Sequence, residues 1–282
     1  DLDWDAWLEE GDEPYPAALL VADSHTTLSG VTVVAPHEED AILVLGPEAI
    51  ADITGVSIRS LGEIPGGNNA VNWEGGAGGS LRDSHVEGWV SLGDDSKVIV
   101  EGNMMPATCL GVWEDGADAV IRGNVIHGCE YEKGLEVGGD NTVLIEGNDI
   151  WVEEVEPGPP DDSFGGRVAI MVSGGPGPVT IRNNDLHDSK VGILILGESH
   201  VTIDENRVTS NETGVSADHR GAVELNDNVI ELNGVGLVLG GLAESTLQGN
   251  RICDNEVNVQ LNNLADPPDS ASNEVCEDAS AG

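Results

Sequence analysis

VTIRNNDLHDSKVGILIL, residues 179–196, holds the architecture of this chain in one phrase. An alternating strand (Val179, Ile181) leads through polar residues to Asn184, an apolar residue follows at Leu186, and a second strand opens after Gly192. The phrase returns as VTIDENRVTSNETGVSAD (201–218), VELNDNVIELNGVGLVLG (223–240) and STLQGNRICDNEVNVQL (245–261). Asn184, Asn206, Asn228 and Asn250 are therefore 22 residues apart. Upstream, the same asparagine closes VIVEGN at Asn103, AVIRGN at Asn124 and VLIEGN at Asn148, at intervals of 21, 24 and 36. Weaker copies precede these at TLSGVTV (27–33), DITGVSI (52–58) and SLRDSHV (80–86).

A constant period of this length is the signature of a solenoid. With no helical segment inside it, each repeat is three short strands and three turns. Period-2 alternation fixes the inward side chains. Val179, Ile181, Val201 and Ile203 form one inward row; Ile150, Leu186, Val208 and Ile230 form a second. Leu135/Val137, Ile170/Val172, Ile193/Ile195, Leu237/Leu239 and Val259/Leu261 form a third. One repeat cannot bury its apolar side alone, whereas stacked repeats share a continuous core. The expected fold is an all-β, right-handed, single-stranded parallel β-helix of roughly ten coils. Its expected parts are an N-terminal cap over 1–26, the β-helix over 27–264, and a loose tail over 265–282 pinned by Cys276. Trp4, Trp7 and Leu8 fall at helical spacing, so residues 3–10 suit a short capping helix.

Stacking makes further demands. The asparagines at one phase form a ladder of amides between coils, which satisfies buried polar groups and holds register. Two residues before each asparagine, Glu101, Arg122, Glu146, Arg182 and Asp204 alternate in sign, as a cross-strand ion-pair column would. Cys109 and Cys129 follow their asparagines by similar distances in adjacent coils, as do Cys253 and Cys276. The expected disulfides are Cys109–Cys129 and Cys253–Cys276, and with them an oxidising compartment: extracellular, cell-surface or periplasmic.

Composition limits the partners. The chain has 52 acidic and 11 basic residues in 282, a net charge of −41. Such a field repels nucleic acid and anionic membranes, and no apolar run approaches a membrane span. The acids are spread along the chain and suit a solvated surface in salty surroundings. No metal site and no cofactor is expected; Ca²⁺ is the one ion that would bridge this surface to an acidic partner.

The phrase at 179–196 and its copies resemble the pectate-lyase-like right-handed β-helix superfamily, nearest its carbohydrate-binding and sugar-hydrolase repeat group with NosD-like and mannuronan-epimerase-like members. The resemblance covers about residues 27–278. It implies a long polysaccharide held along the outer face of one parallel sheet. Epimerase-like members carry an Asp-Pro-His-Asp turn; the nearest string here is Ala217-Asp218-His219-Arg220. The Arg-x-Pro-x-x-Arg segment of pectate lyases and the Gly-His-Gly of polygalacturonases are absent.

The strand after the glycine offers the candidate binding face. Its outward row reads Asn72, Val90, Trp113, Glu136, Met171, Leu194, Ser216, Val238 and Gln260, with several apolar members where a solvated sheet would be polar. Three uses are open: stacking sugars on Trp113, packing against a protein surface, or cover by the chain's own insertion. That insertion, VEEVEPGPPDDSFGGR (152–167), stretches the gap from Asn148 to Ala169 to 21 residues and brings Phe164 and Arg167 to the rim. Acid–base candidates are His187, Lys190, Asp218, His219 and Arg220, with His219 or Lys190 as base and Arg167 or Arg220 facing a uronate. A strand's length separates Lys190 from His219, too far to share one reacting atom. The expectation is a non-catalytic β-helix that binds glycan or protein on this face; the alternative is a polysaccharide lyase, hydrolase or epimerase acting there.

Overall fold

The computed structural model describes residues 17–35, 40–60, 69–129, 133–153, 167–218, 221–240, 245–262 and 272–278. Three parallel sheets run the length of the molecule. The first has 11 strands, from Ala17–Ala22 to Val257–Leu261; the second has 10, from His25–Ser29 to Ser245–Gln248; the third has 11, from Thr32–Ala35 to Glu274–Val275. Apart from the last pair of the third sheet, each strand pairs with the strand three places on, so one coil contributes one strand to each sheet. About ten coils at a strand spacing near 4.8 Å make a rod roughly 50 Å long. No helix occurs among the described residues. The capping helix expected over 3–10 lies outside them.

Alternation decides the core. Ile121, Ile145, Ile181, Ile203 and Leu225 stand in register in the second sheet and are fully buried. Ile126, Ile150, Leu186, Val208 and Ile230 do the same in the third. Each such aliphatic, fully buried, stabilises the fold by about 1.5–3 kcal/mol. Trp73, also fully buried, fills the wider core of the early coils.

The asparagine file forms as the spacing predicts. Asn103, Asn124, Asn148, Asn184, Asn206, Asn228 and Asn250 each donate backbone N–H and Nδ2 to Oδ1 of the asparagine in the next coil, ending on Asn273. The residue just before each rung is left-handed, from Gly102 at φ 67° to Gly249 at φ 69°. That is why the phrase so often reads Gly-Asn. Asn183, Glu205 and Asp227 tolerate the same conformation at φ 53–54°. A second file, not foreseen from the sequence, joins Asn211, Asn233 and Asn255 in the turn from the third sheet to the first.

Both disulfides form between neighbouring coils, with Cα separations of 5.1 Å for Cys109–Cys129 and 4.9 Å for Cys253–Cys276. The ion-pair column is present and begins one coil earlier than foreseen. Arg82 and Arg122 both engage Glu101, and Arg182 lies 2.8 Å from Glu146.

One assignment differs from the alternation count, and one residue of the inward row, Leu261 opposite Leu239, is left exposed. Val90 faces the core, fully buried, and Ser91 takes the outward place, because the pairing slips between Trp89 and Val90. Leu261, expected inside, is 41% exposed on the final strand of the first sheet. Beyond it, Asn273 completes the ladder, Glu274–Val275 pairs with Arg251–Ile252, and the Cys276 N–H donates to the Ile252 carbonyl.

Candidate functional site

The outer face of the first sheet is built by the register of its strands. Its outward row passes through Asn72, Ser91, Gly111, Glu136, Met171, Leu194 and Ser216. Trp113 lies on this face one outward step beyond the row, just past the strand Leu110–Val112. Its backbone N–H donates to the Leu92 carbonyl and Gly138 N–H donates to the Val112 carbonyl, so Trp113 shares its phase with Gly93 and Gly138.

Two glycines, Gly111 and Gly138, decide where the indole goes. The ring folds back across Gly111, where a Cβ would come within 1.9 Å of Nε1, and its far edge meets Gly138, where a Cβ would stand 3.4 Å from Cε3. The ring thus occupies space that side chains would otherwise fill. Trp89 in the preceding coil brings its ring to 6.5 Å, tilted by 30°. Both indoles remain half-buried, so together they form an apolar shelf open to solvent.

Beside the shelf stands a buried ion pair. Glu136 is 6% exposed, with Lys133 Nζ at 2.5 Å from Oε2 and Ser173 Oγ donating to Oε1 at 3.4 Å. The Lys133 carbonyl lies against the Cys109–Cys129 disulfide, 3.4 Å from Cys109 Sγ and 3.8 Å from Cys129 Sγ. Met171 covers the next coil, 6% exposed, and Leu194 beyond it is half-buried.

Toward the N-terminal coils the face turns polar. Asp40 Oδ1 accepts from Asn69 N–H and Nδ2, and its Oδ2 accepts from Asn72 Nδ2. Asn72 Nδ2 also donates to Glu74 Oε1 at 2.6 Å, while Asn72 Oδ1 is buried with no donor. At the strand ends, Glu114 swings over Gly93, where a Cβ would stand 3.4 Å from its Oε2. A hydrogen bond with Asp94 raises the Glu114 carboxyl above the ordinary range, with burial and the charges of Asp94 and Glu74 adding to the effect.

The other sequence candidates are dispersed. His187 belongs to the third sheet, where His127, Trp151 and His187 stack in three coils at 5.2 and 5.4 Å, their rings within 15° of parallel. Its Nε2 faces Asp149 at 2.9 Å and its Nδ1 faces Asp188 at 2.7 Å. Burial pulls its pKa down, but the hydrogen bonds and charges of those two aspartates prevail and raise it. Lys190 starts the turn back to the first sheet, its N–H on the Arg167 carbonyl. Arg167 Nη2 is 3.2 Å from Glu212. Asp218 ends its strand opposite Gly240. His219, Arg220 and Phe164, and the side chain of Asp218, lie outside the described residues. The structure thus brings Trp113, Glu136, Met171 and Leu194 onto one face and leaves His187 on another. Sequence reasoning missed Lys133, Asp40 and Glu114. Lys133 had a signal, as one of three lysines in the chain and three residues before Glu136.

Comparison with known proteins agrees with this architecture. The family described as right handed beta helix region matches residues 168–279, under half of the chain. The crystal structure of the periplasmic alginate epimerase AlgG is similar at TM-score 0.56 and 14% identity, over 86% of this chain and 83% of that one. A mutant of that epimerase gives 0.54 at 14% identity, over 89% of this chain and 71% of that one. An alginate lyase from Paenibacillus sp. str. FPU-7 gives 0.43 at 13% identity, over 83% and 99%. No curated protein matches the sequence. What the likeness to the epimerase structures establishes is the fold, a right-handed parallel β-helix.

Proposed function

We propose that this protein binds a polysaccharide along the outer face of its first sheet, without cleaving it, in an extracellular or periplasmic setting. The observation that carries the reading is the Trp113 indole laid across Gly111 beside Trp89. A half-exposed aromatic shelf on a rigid sheet suits the apolar face of a sugar ring, and a large aromatic held in place by backbone contacts loses little entropy on binding. The polysaccharide class draws support from the similar fold of a periplasmic alginate epimerase. The two disulfides support an oxidising compartment.

The arrangement of acids speaks against hydrolysis. Glycosidase carboxyls flank the scissile bond at about 5–9.5 Å, whereas Glu136 on this face is bound to Lys133. The test is calorimetric titration of a glycan panel against the native protein and Trp113→Ala, with product analysis after long incubation. Binding weakened by roughly 30-fold in Trp113→Ala, about 2 kcal/mol for a lost aromatic anchor, with unchanged glycans, is the expected result. Release of reducing ends or unsaturated sugars, or binding indifferent to Trp113, would overturn the reading.

A further inference from the structure

The turn that carries the second amide file holds the one Asn-Gly pair in the sequence, Asn233-Gly234. That pairing has its own chemistry. Glycine sets no side chain beside its backbone nitrogen, so the nitrogen can reach the amide carbon of the side chain before it. Asparagine so placed is thermolabile. Asn211 and Asn255 occupy the same phase in the adjoining coils, but Glu212 and Glu256 follow them.

The fold holds both reacting groups away from that reaction. Asn233 is 2% exposed. Its Oδ1 accepts from the Asn211 N–H at 2.9 Å and from Asn211 Nδ2 at 3.1 Å. Its Nδ2 donates to the Val208 and Glu231 carbonyls and to Asn255 Oδ1, each at 3.0 Å. The nucleophile is tied as well, because the Gly234 N–H donates to the Asn211 carbonyl at 3.0 Å. Hydroxide must take that proton before the nitrogen attacks, and a bonded amide in a buried turn yields it only when the turn opens.

We propose that Asn233 is a latent self-modification site, protected by the closed amide file and converted irreversibly to aspartate or isoaspartate from the opened turn. In the open turn the deprotonated Gly234 nitrogen bonds to Asn233 Cγ. The Cγ–Nδ2 bond breaks, and Nδ2 leaves as ammonia with a proton from water. Water then opens the five-membered imide at either carbonyl, giving aspartate or isoaspartate. The product cannot retake the rung. All three partners of Nδ2 are oxygen acceptors, and an oxygen in its place brings buried negative charge against them. Isoaspartate also adds a carbon to the backbone, which disturbs the register of the strand Val235–Gly240 that follows. Conversion thus marks the chain permanently where it enters the first sheet.

The test is peptide mapping by mass spectrometry at mildly alkaline pH, following the amide-to-acid mass change at Asn211, Asn233 and Asn255 in the folded protein and in urea. In urea, Asn233 should convert well ahead of the other two. In the folded protein its conversion should be at least ~100-fold slower than in urea, the open turn being a minor population. Asn255→Ala removes the acceptor of two Asn233 bonds, from N–H and from Nδ2. It should speed conversion in the folded protein at least ~tenfold, with circular dichroism reporting that the coils persist. Should that variant not fold, the comparison of folded and urea-unfolded native chain decides alone. Equal rates in the two states, three asparagines converting alike in urea, or a folded Asn255→Ala variant that converts no faster would each overturn the proposal. So would converted protein whose Gly234 amide is still protected from hydrogen exchange.

Discussion

Replacing Asn206 with alanine removes the centre of a hydrogen-bonded file, and the loss can be worked out bond by bond. Asn206 Oδ1 accepts from Asn184 N–H and Nδ2, each at 3.0 Å. Its Nδ2 donates to the Ile181 carbonyl at 2.8 Å and to Asn228 Oδ1 at 3.1 Å. The residue is 1% exposed, so water does not take its place without rearrangement. Four bonds at about 1 kcal/mol each give ~4 kcal/mol, and the orphaned Asn184 N–H adds about 1–3 kcal/mol more. That is a large share of the ~5–15 kcal/mol that holds a typical domain together. Asn206→Asp sharpens the test, because it preserves shape and the acceptor while turning an oxygen toward the Ile181 carbonyl and Asn228 Oδ1. Urea unfolding followed by circular dichroism, with the midpoint compared at constant slope, measures both. Both variants should lose at least ~4 kcal/mol, with amide exchange at Asn184 accelerated first. A loss below about 1 kcal/mol in either would refute the idea that the amide file holds the coils in register.

Three further outcomes follow from the geometry. Gly111→Ala places a methyl group where Nε1 of Trp113 now lies; it should lift the indole, quench the shelf's tryptophan fluorescence signature and abolish glycan titration, with the melting temperature little changed. Joint replacement of Cys253 and Cys276 by serine opens a link spanning 23 residues. It should cost about 3 kcal/mol of loop entropy, read as early proteolysis confined to the last coil. His187 has its folded pKa raised above the ordinary histidine value. Its contribution to stability is therefore fully present below about pH 6.5, the unfolded value, and is lost as pH rises through the folded pKa. Melting curves against pH should show this fall in the native protein and not in His187→Gln; parallel curves for the two would contradict it.

Much of this molecule is written along the chain. Asn184, Asn206, Asn228 and Asn250 recur at one phase, and each is preceded by a residue able to turn left-handed. Those two facts place a turn, a ladder and three strands in every coil, because a rung can bond only to its counterpart directly above or below. The disulfides follow from the same phase rule. The second amide file, Asn211, Asn233 and Asn255, obeyed it too, at a spacing of 22 residues, and was legible to anyone who asked for a second phase.

Periodicity along the chain is enough to give the coil, its repeat length and which residues share a vertical file. The aromatic shelf took shape through packing between coils. Trp113 could be assigned to the outer face by parity, yet its ring lies across Gly111 and against Gly138 of the next coil, because neither glycine sets a side chain in its way. Val90 went inward because the pairing slips beside Trp89, and a slip of one residue exchanges the two faces of a strand. Periodicity sets a residue's phase within its own coil; where its side chain comes to rest depends on the volume and charge that other coils set against it.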